Sequence, residues 1–256
     1  MWSSAGVLTK SVRDLTPAES APRGTTDLDE LLATLAEAPD LASSAAILLS
    51  RLGELSGSSR GFVRLLDPAM ESLGVVAMVG FDGRGIPTLS VSDLSHPVVV
   101  SALSLHPIVA GPDSTRDPRV AFRHWTALPL PRGDDRTGPP MLPLARAMDL
   151  MGPLRLRFGA RPARNTEWFG QAPAGVAVLE GDAEPAVVAS LARIAMFAGP
   201  ILARMGMATA VRQTADRATK ERDRLTSIID SLPDPIVITN AANDIIVQNA
   251  RAERLL

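Results

Sequence analysis

A hydrophobic repeat with helical spacing runs over residues 187–232 and constrains the fold more than any other feature of the sequence. Alternating steps of three and four residues select mostly apolar or small side chains over about six heptads, which is typical of a helix that packs along one seam. We call these positions the seam: Val187, Ser190, Ile194, Phe197, Ile201, Arg204, Ala208, Val211, Ala215, Ala218, Arg222, Leu225, Ile229 and Leu232. Residues 212–224 alternate basic and acidic side chains with small polar ones, so this part cannot be buried on every face. The pattern predicts a parallel dimeric coiled coil; the alternative is a solvated single helix that connects two domains.

Helical and turn signals at the beginning of the chain predict a leader followed by two helices. Residues 1–26 are rich in Ser, Thr, Pro and Gly, which is typical of a disordered leader. Leucines then recur at helical spacing from Thr26 or Asp27. Asp40 is a good N-cap for a second helix, and Gly57 stands where a C-terminal cap belongs.

Short apolar runs between turn residues predict a sheet. The predicted strands are residues 61–66, 73–81, 107–110, 125–130, 141–147, 154–158 and 175–179. A short helix is expected over residues 97–105, because Pro97 at the first helical position follows Ser95 or His96. A long helix is expected from Glu184 towards residue 231, with a kink at Pro200. This order predicts an α+β fold with a mainly antiparallel sheet.

Composition excludes several classes of chemistry and of location. The chain of 256 residues has no cysteine, which removes thiol nucleophiles, disulfides, cysteine-ligated metals and thioether-linked chromophores. A net charge of −2 argues against a chain-wide nucleic-acid or anionic-lipid surface. The apolar stretch 186–205 is interrupted by Arg193 and Arg204, so no membrane segment is predicted. We therefore expect a cytoplasmic protein that does not bind nucleic acid.

No catalytic or metal-binding pattern is evident. The three histidines, His96, His106 and His124, do not have the spacing of a metal motif. The glycines at 80–85 lack the order of a phosphate-binding loop and predict a hairpin turn, and no nucleophile motif occurs. The prediction is that this fragment is not an enzyme and has no metal.

Four segments follow one another in an order that is typical of one domain family. Residues 60–83 form a strand pair after a leading helix, and residues 184–205 resemble the closing helix of that family. Between them come Ser95-His96-Pro97-Val98-Val99-Val100-Ser101-Ala102-Leu103 and then Ala127-Leu128-Pro129-Leu130. The apolar-Pro-Leu pattern recurs at Leu142-Pro143-Leu144, so either run fits the family's strand. The chain thus resembles the GAF family over about residues 28–205, which implies a GAF-like domain over 27–205.

The GAF resemblance implies a regulatory domain whose ligand is small and noncovalent, if there is one. The family's cyclic-nucleotide signature needs a lysine, and Lys10 and Lys220 both lie outside the proposed domain. The absence of cysteine excludes a covalent bilin within the fragment. In this fold a ligand sits between the sheet and the helices and loops that cover it. The residues we expect there are Phe81, His96, Arg119, Phe122 and Trp125; the alternative for each is an ordinary core or loop position, with His96 as a helix cap.

Residues 221–256 resemble a signalling helix followed by the start of a PAS domain. Pro233-Asp234-Pro235 ends the helix, and strands are expected over 236–239 and 245–248 with a helix over 249–256. A PAS domain has further strands, so we expect a fragment of a longer protein with a signalling helix over 206–231 and a truncated PAS domain over 232–256. Together the two resemblances imply a sensory input module that signals through a homodimer formed by the 187–232 helix, with an unknown small ligand or protein as its signal.

The full-length protein is expected to be a bacterial sensor histidine kinase. The alternatives are the input region of a cyclic-dinucleotide enzyme or of a transcription activator, or a purely structural dimerisation domain without a ligand.

Overall fold

A computed structural model describes residues 26–81, 86–133, 141–159 and 172–254. The predicted leader, apart from Thr26, lies outside these residues, as does most of the predicted turn at 80–85. The chain forms two compact units, Met1–Met207 and Ala208–Leu256.

The described part of the first unit is built on one antiparallel sheet of seven strands. The strands are β1 (Gly61–Leu66), β2 (Ser72–Val79), β3 (Leu89–Ser90), β4 (Ile108–Ala110), β5 (Trp125–Pro131), β6 (Arg157–Phe158) and β7 (Pro173–Glu180). They lie side by side in the order β3-β2-β1-β7-β5-β4-β6, and each neighbouring pair is antiparallel. The predicted mainly antiparallel sheet is confirmed.

Helices cover both faces of this sheet. α1 (Thr26–Glu37), α2 (Leu41–Ser56) and the first half of α5 (Pro185–Ser231) pack on one face, where strand residues such as Val63 and Leu65 point. α3 (Pro97–Ser104) and α4 (Leu144–Met151) pack on the other, where Phe62 and Val176 point. Alternate strand residues therefore enter two separate apolar clusters. The fold class is α+β, with helices on both sides of the sheet and a long C-terminal helix.

The helix ends lie at the cap residues that the sequence predicts. The Asp40 side chain accepts a hydrogen bond of 2.7 Å from Ser43 N at the start of α2, and Gly57 ends that helix with φ 70°. A left-handed residue at this position favours glycine because glycine has no Cβ. His96 is the N-cap of α3, with Pro97 in its first turn.

The predicted strand over 141–147 is wrong, because this segment begins α4. Pro143 is the N-cap residue, and the run after it consists mostly of good helix formers. Ala147 and Met151, four residues apart, are the buried face of the helix. The strand with the apolar-Pro-Leu pattern is thus Leu128-Pro129-Leu130 in β5.

Three further elements differ from expectation. In the predicted strand 154–158, β6 consists of Arg157–Phe158, because Gly152–Leu154 forms a 3₁₀ turn. The sequence does not predict the short edge strand β3, since two residues are too few to show an alternation of apolar and polar side chains. Residues 250–254 form turns rather than the expected helix; one backbone bond from Glu253 N to Asn249 O does not offset the cost of helix nucleation.

α5 is long and apolar enough over part of its length to cross a membrane. Within the apolar window, however, 44% of the residues are buried inside the protein. Leu191, Ala195 and Leu202 belong to the core on the α2 face of the sheet. Burial in that core accounts for the apolar composition of the first half of the helix.

The second unit contains a two-stranded hairpin of β8 (Val237–Thr239) and β9 (Ile245–Gln248). Asn249 is fully buried, and its side chain forms two hydrogen bonds to the residues just before the hairpin. Its Oδ1 accepts a hydrogen bond of 2.9 Å from Ile236 N, and its Nδ2 donates one of 2.8 Å to Asp234 O. The hairpin predicted over 236–248 is confirmed.

Candidate functional site

Three phenylalanines form a cluster on the α3 face of the sheet. The ring centroids of Phe62 and Phe122 are 5.9 Å apart with nearly parallel planes, and Phe81 lies 5.5 Å from Phe122 and 6.1 Å from Phe62. The guanidinium of Arg60 lies 5.2 Å from the Phe81 centroid and 5.3 Å from that of Phe122. Cation–π attraction therefore holds Arg60 at the edge of this cluster.

Arg64 is the least expected member of the site, because it is a cation inside the core. It lies on β1 two residues after Phe62, so both side chains point to the same face, and it is only 2% exposed. Its guanidinium lies 5.2 Å from the Phe62 ring, and its Nη1 donates to Leu73 O at 3.0 Å. Burial lowers the pKa of Arg64 to about 10, and its Nε has no hydrogen-bond partner in the described structure.

His96 lies at the first turn of α3 and is also 2% exposed. Its Nδ1 accepts a hydrogen bond of 3.3 Å from Val98 N, whereas its Nε2 has no partner among the described residues. Burial lowers the pKa of His96; the charges of Arg119 and Arg64 lower it further, and that of Asp117 opposes them. The imidazole is therefore neutral at pH 7, and its environment includes the Arg64 guanidinium.

A polar network lies beside His96, nearer the surface. Arg119 forms two hydrogen bonds to the nearly buried carboxylate of Asp117, at 2.6 and 2.9 Å, and a longer contact of 3.4 Å to Asp93. It also donates to Ser95 O at 2.7 Å, which ties the loop that contains it to the beginning of α3. Hydrogen bonds from Arg119 keep the pKa of Asp117 below its usual value despite burial of the carboxylate.

The structure brings the five predicted site residues into one region. Phe81 and Phe122 share the aromatic cluster, and His96 and Arg119 are close enough for the charge of one to affect the other. Trp125, 2% exposed, packs in the same apolar cluster at the start of β5. The alternative for His96, a helix cap, is confirmed, since its side chain caps α3; a contact of His96 with a ligand stays a prediction.

Sequence reasoning missed Arg64 and Phe62. The apolar run over residues 61–66 predicts a strand, but an apolar run alone does not say which face its arginine occupies. The spacing does indicate that Arg64 shares a face with Phe62, because residues two apart lie on the same face of any strand. A sheet covered by helices on both faces leaves no solvent-facing position for that arginine.

Two surface clefts lie elsewhere in the first unit. One, of about 310 Å³, is lined by residues that include Gly53, Glu54, Arg60, Val79 and Leu179. The other, of about 40 Å³, lies between β1, the start of β7 and the middle of α5. Neither is lined by any of the five predicted residues. We therefore take the buried cluster around Arg64 and His96 as the candidate site, because unpartnered polar groups are found there.

No group of three or more His, Cys, Asp or Glu side chains placed to hold a metal ion occurs in the described part of the chain.

No protein-family model matches the chain, and no curated protein matches it. Among solved structures it is similar to the GAF domain of an Acinetobacter phosphoenolpyruvate-protein phosphotransferase: 12% identity and TM-score 0.46 over 74% of this chain and 99% of that one. It is also similar to the second GAF domain of DevS from Mycobacterium smegmatis, at 16% identity and TM-score 0.37 over 68% and 99% of the two chains. A third is the chromophore-binding domain of a bacteriophytochrome from R. palustris, at 13% identity and TM-score 0.36 over 71% and 64%. At such identities the similarity concerns the fold alone.

Proposed function

We propose that this chain is a signalling input module, with a GAF-type sensory domain over residues 27–205 and a signalling helix over 206–231. The observation that carries the proposal is the change in burial along α5. Val188, Leu191 and Leu202 of this helix belong to the domain core, whereas every residue over 211–228 is exposed. A continuous helix with one end in a core is suited to carry a change in that core to whatever packs on its other end.

The exposed half of α5 has apolar side chains that a second helix would cover. Val211 is 61% exposed and Leu225 51% exposed, and both are seam positions. Leu232, the last seam position, is 39% exposed. We propose that two copies of this chain pair in parallel along the seam, because a coiled coil buries a row of this spacing while leaving the charged residues of 212–224 in water.

Signal transfer requires two arrangements of this helix pair with similar free energies. The seam is suited to that, because alanines at 215 and 218 bury little apolar surface and Arg204 and Arg222 interrupt it. A ligand on the α3 face would favour one arrangement by changing how the sheet packs against the first half of α5.

The seam is tested by enlarging its small residues. We expect Ala215→Leu and Ala218→Leu each to tighten the dimer by at least about tenfold, since each adds buried apolar surface in both copies. Sedimentation equilibrium of the full chain measures the dissociation constant. Gln213→Leu is the matched control, because it adds the same side chain to an exposed position off the seam. Equal tightening by the control, or none by the seam variants, would contradict the pairing.

The second unit fits the start of a PAS domain in this proposal. Val237, Ile238, Ile245 and Ile246 on its hairpin are each between 44% and 61% exposed, and further strands of a PAS sheet would cover them. The proposed full-length protein is a cytoplasmic sensor histidine kinase, and this chain supplies no catalysis. Fusion of the chain to a histidine kinase core, with autophosphorylation as the readout, tests whether the helix controls an output domain.

A further inference from the structure

Two buried hydrogen-bond donors on the α3 face lack an acceptor in the described parts of the chain. One is Arg64 Nε. The other is His96 Nε2: because Nδ1 accepts from Val98 N, the neutral ring carries its proton on Nε2. A buried donor without an acceptor costs about 1–3 kcal/mol. The two residues are near enough for the charge of Arg64 to lower the pKa of His96, so two such donors indicate that an acceptor belongs between them.

The charge of Arg64 is also unbalanced. None of the described carboxylates forms an ion pair with it. The acids nearest His96, Asp117 and Asp93, are bound to Arg119 instead. A buried cation normally has an anion beside it, because burial removes the water that would otherwise stabilise the charge.

From these contacts we infer that the site around Arg64 and His96 binds a small carboxylate, which accepts hydrogen bonds from Arg64 Nε and His96 Nε2. Two donors match the two oxygens of a carboxylate. One guanidinium beside a neutral imidazole balances one negative charge, which favours a monoanion over a dianion. The start of α3 lies at the same place, and its dipole also favours an anion. This inference rests on the proposed sensory function and names the chemical class of its ligand.

The apolar side chains next to Arg64 favour a small organic acid over a bare ion. Phe62 and Phe122 provide an aromatic surface next to the Arg64 guanidinium. On the other side His96 adjoins Ser95, which is exposed, so the start of α3 lies within reach of solvent. A carboxylate held by Arg64 and His96 would have its carbon chain against apolar side chains.

The test is a titration of the full chain with acetate, followed by the ¹H–¹⁵N resonance of Arg64 Nε and by the melting temperature. Acetamide, which has the same shape without the charge, is the comparison ligand. We expect a saturable shift of the Arg64 resonance and a rise in melting temperature with acetate and neither with acetamide. Arg64→Gln should weaken acetate binding at least tenfold. Arg64→Lys should also weaken it, because lysine lacks the Nε donor although it keeps the positive charge. Arg123→Gln, an exposed arginine in the same loop as Arg119, is the matched control and should bind as the wild type does.

No saturable shift in the wild type would overturn the inference and would mean that water satisfies both donors. The same follows if Arg64→Gln binds acetate as tightly as the wild type, because the anion then binds elsewhere. The wild-type resonance gives an answer even where a variant fails to fold. A dimer that does not bind acetate refutes only the ligand class, whereas a monomer that binds acetate refutes only the dimeric signalling helix.

Discussion

Arg64 illustrates how a buried charged residue can be hidden in an ordinary strand pattern. Its position on β1 follows from the sequence, and so does the face that it shares with Phe62. Its burial does not, because that depends on residues from other elements, such as Val98 and Val176, that form the apolar cluster around Phe62. His96 is the opposite case: the sequence predicts its position before Pro97 and its capping role, and the structure adds the unpartnered Nε2.

At the residue scale, the burial of His96 makes the stability of the domain depend on pH. The pKa of His96 in the folded protein lies below the ordinary value of 6.5, so at pH values just below 6.5 the unfolded chain binds a proton that the folded chain does not. The stability contributed by the neutral ring is therefore present above pH 6.5 and is lost as the pH falls. Arg119 and Arg64 disfavour the protonated ring, and Asp117 and Asp93 partly oppose them.

We expect His96→Asn to remove this dependence while keeping a good N-cap acceptor. Urea denaturation at a series of pH values should show the wild type losing up to about 1.4 kcal/mol more per pH unit than the variant below pH 6.5. The carboxylates whose pKa values are lowered, Asp67, Asp93 and Asp117, titrate at lower pH, outside the range in which the effect of His96 is measured. Parallel stability curves between pH 7 and pH 5 would show that His96 is not held neutral.

At the element scale, the chain is predictable where a local signal matches the tertiary environment. β1 has its predicted bounds because its apolar run is buried, and α5 ends at residue 231 as expected because Pro233-Asp234-Pro235 stops the helix. α4 was missed because Leu142-Pro143-Leu144 imitates a strand motif, and the helical signal in residues 144–151 is only two turns long. Such a short helix is stable only because Ala147 and Met151 pack against α3 and the sheet.

The contact of α5 with the end of β5 gives the second structural prediction. A Cβ at Gly199 would lie 2.4 Å from Pro131 O and 2.8 Å from Pro131 N, so helix and strand touch through backbone atoms at this point. We expect Gly199→Ala to lower the free energy of unfolding by about 1–3 kcal/mol despite the better helix propensity of alanine. Gly152→Ala is the control: nothing lies within 4 Å of its Cβ position and its φ is −50°, so its stability should be unchanged or slightly higher. Equal effects of the two substitutions in thermal denaturation would mean that α5 does not approach β5 this closely.

At the scale of the whole molecule, the sequence predicts the architecture better than the site. Helices, strands and turns each have a periodicity or a composition that is visible in the sequence. The order of these elements alone indicates an antiparallel sheet with a long closing helix. The site depends on which side chains meet across α3, β1 and the loop before β5, and no spacing in the chain encodes those contacts. The proposed function depends on both the architecture and the site. The proposed ligand would bind on the α3 face of the sheet, and the first half of α5 packs on the opposite face.

The central claim, that this chain is a dimeric sensory module, is tested most directly by native mass spectrometry of the purified chain at micromolar concentration, followed by a denaturing spectrum of the same sample. The account predicts a dimer with added mass that is lost on denaturation and that corresponds to a small organic acid. A monomer with the mass of the sequence alone would contradict it.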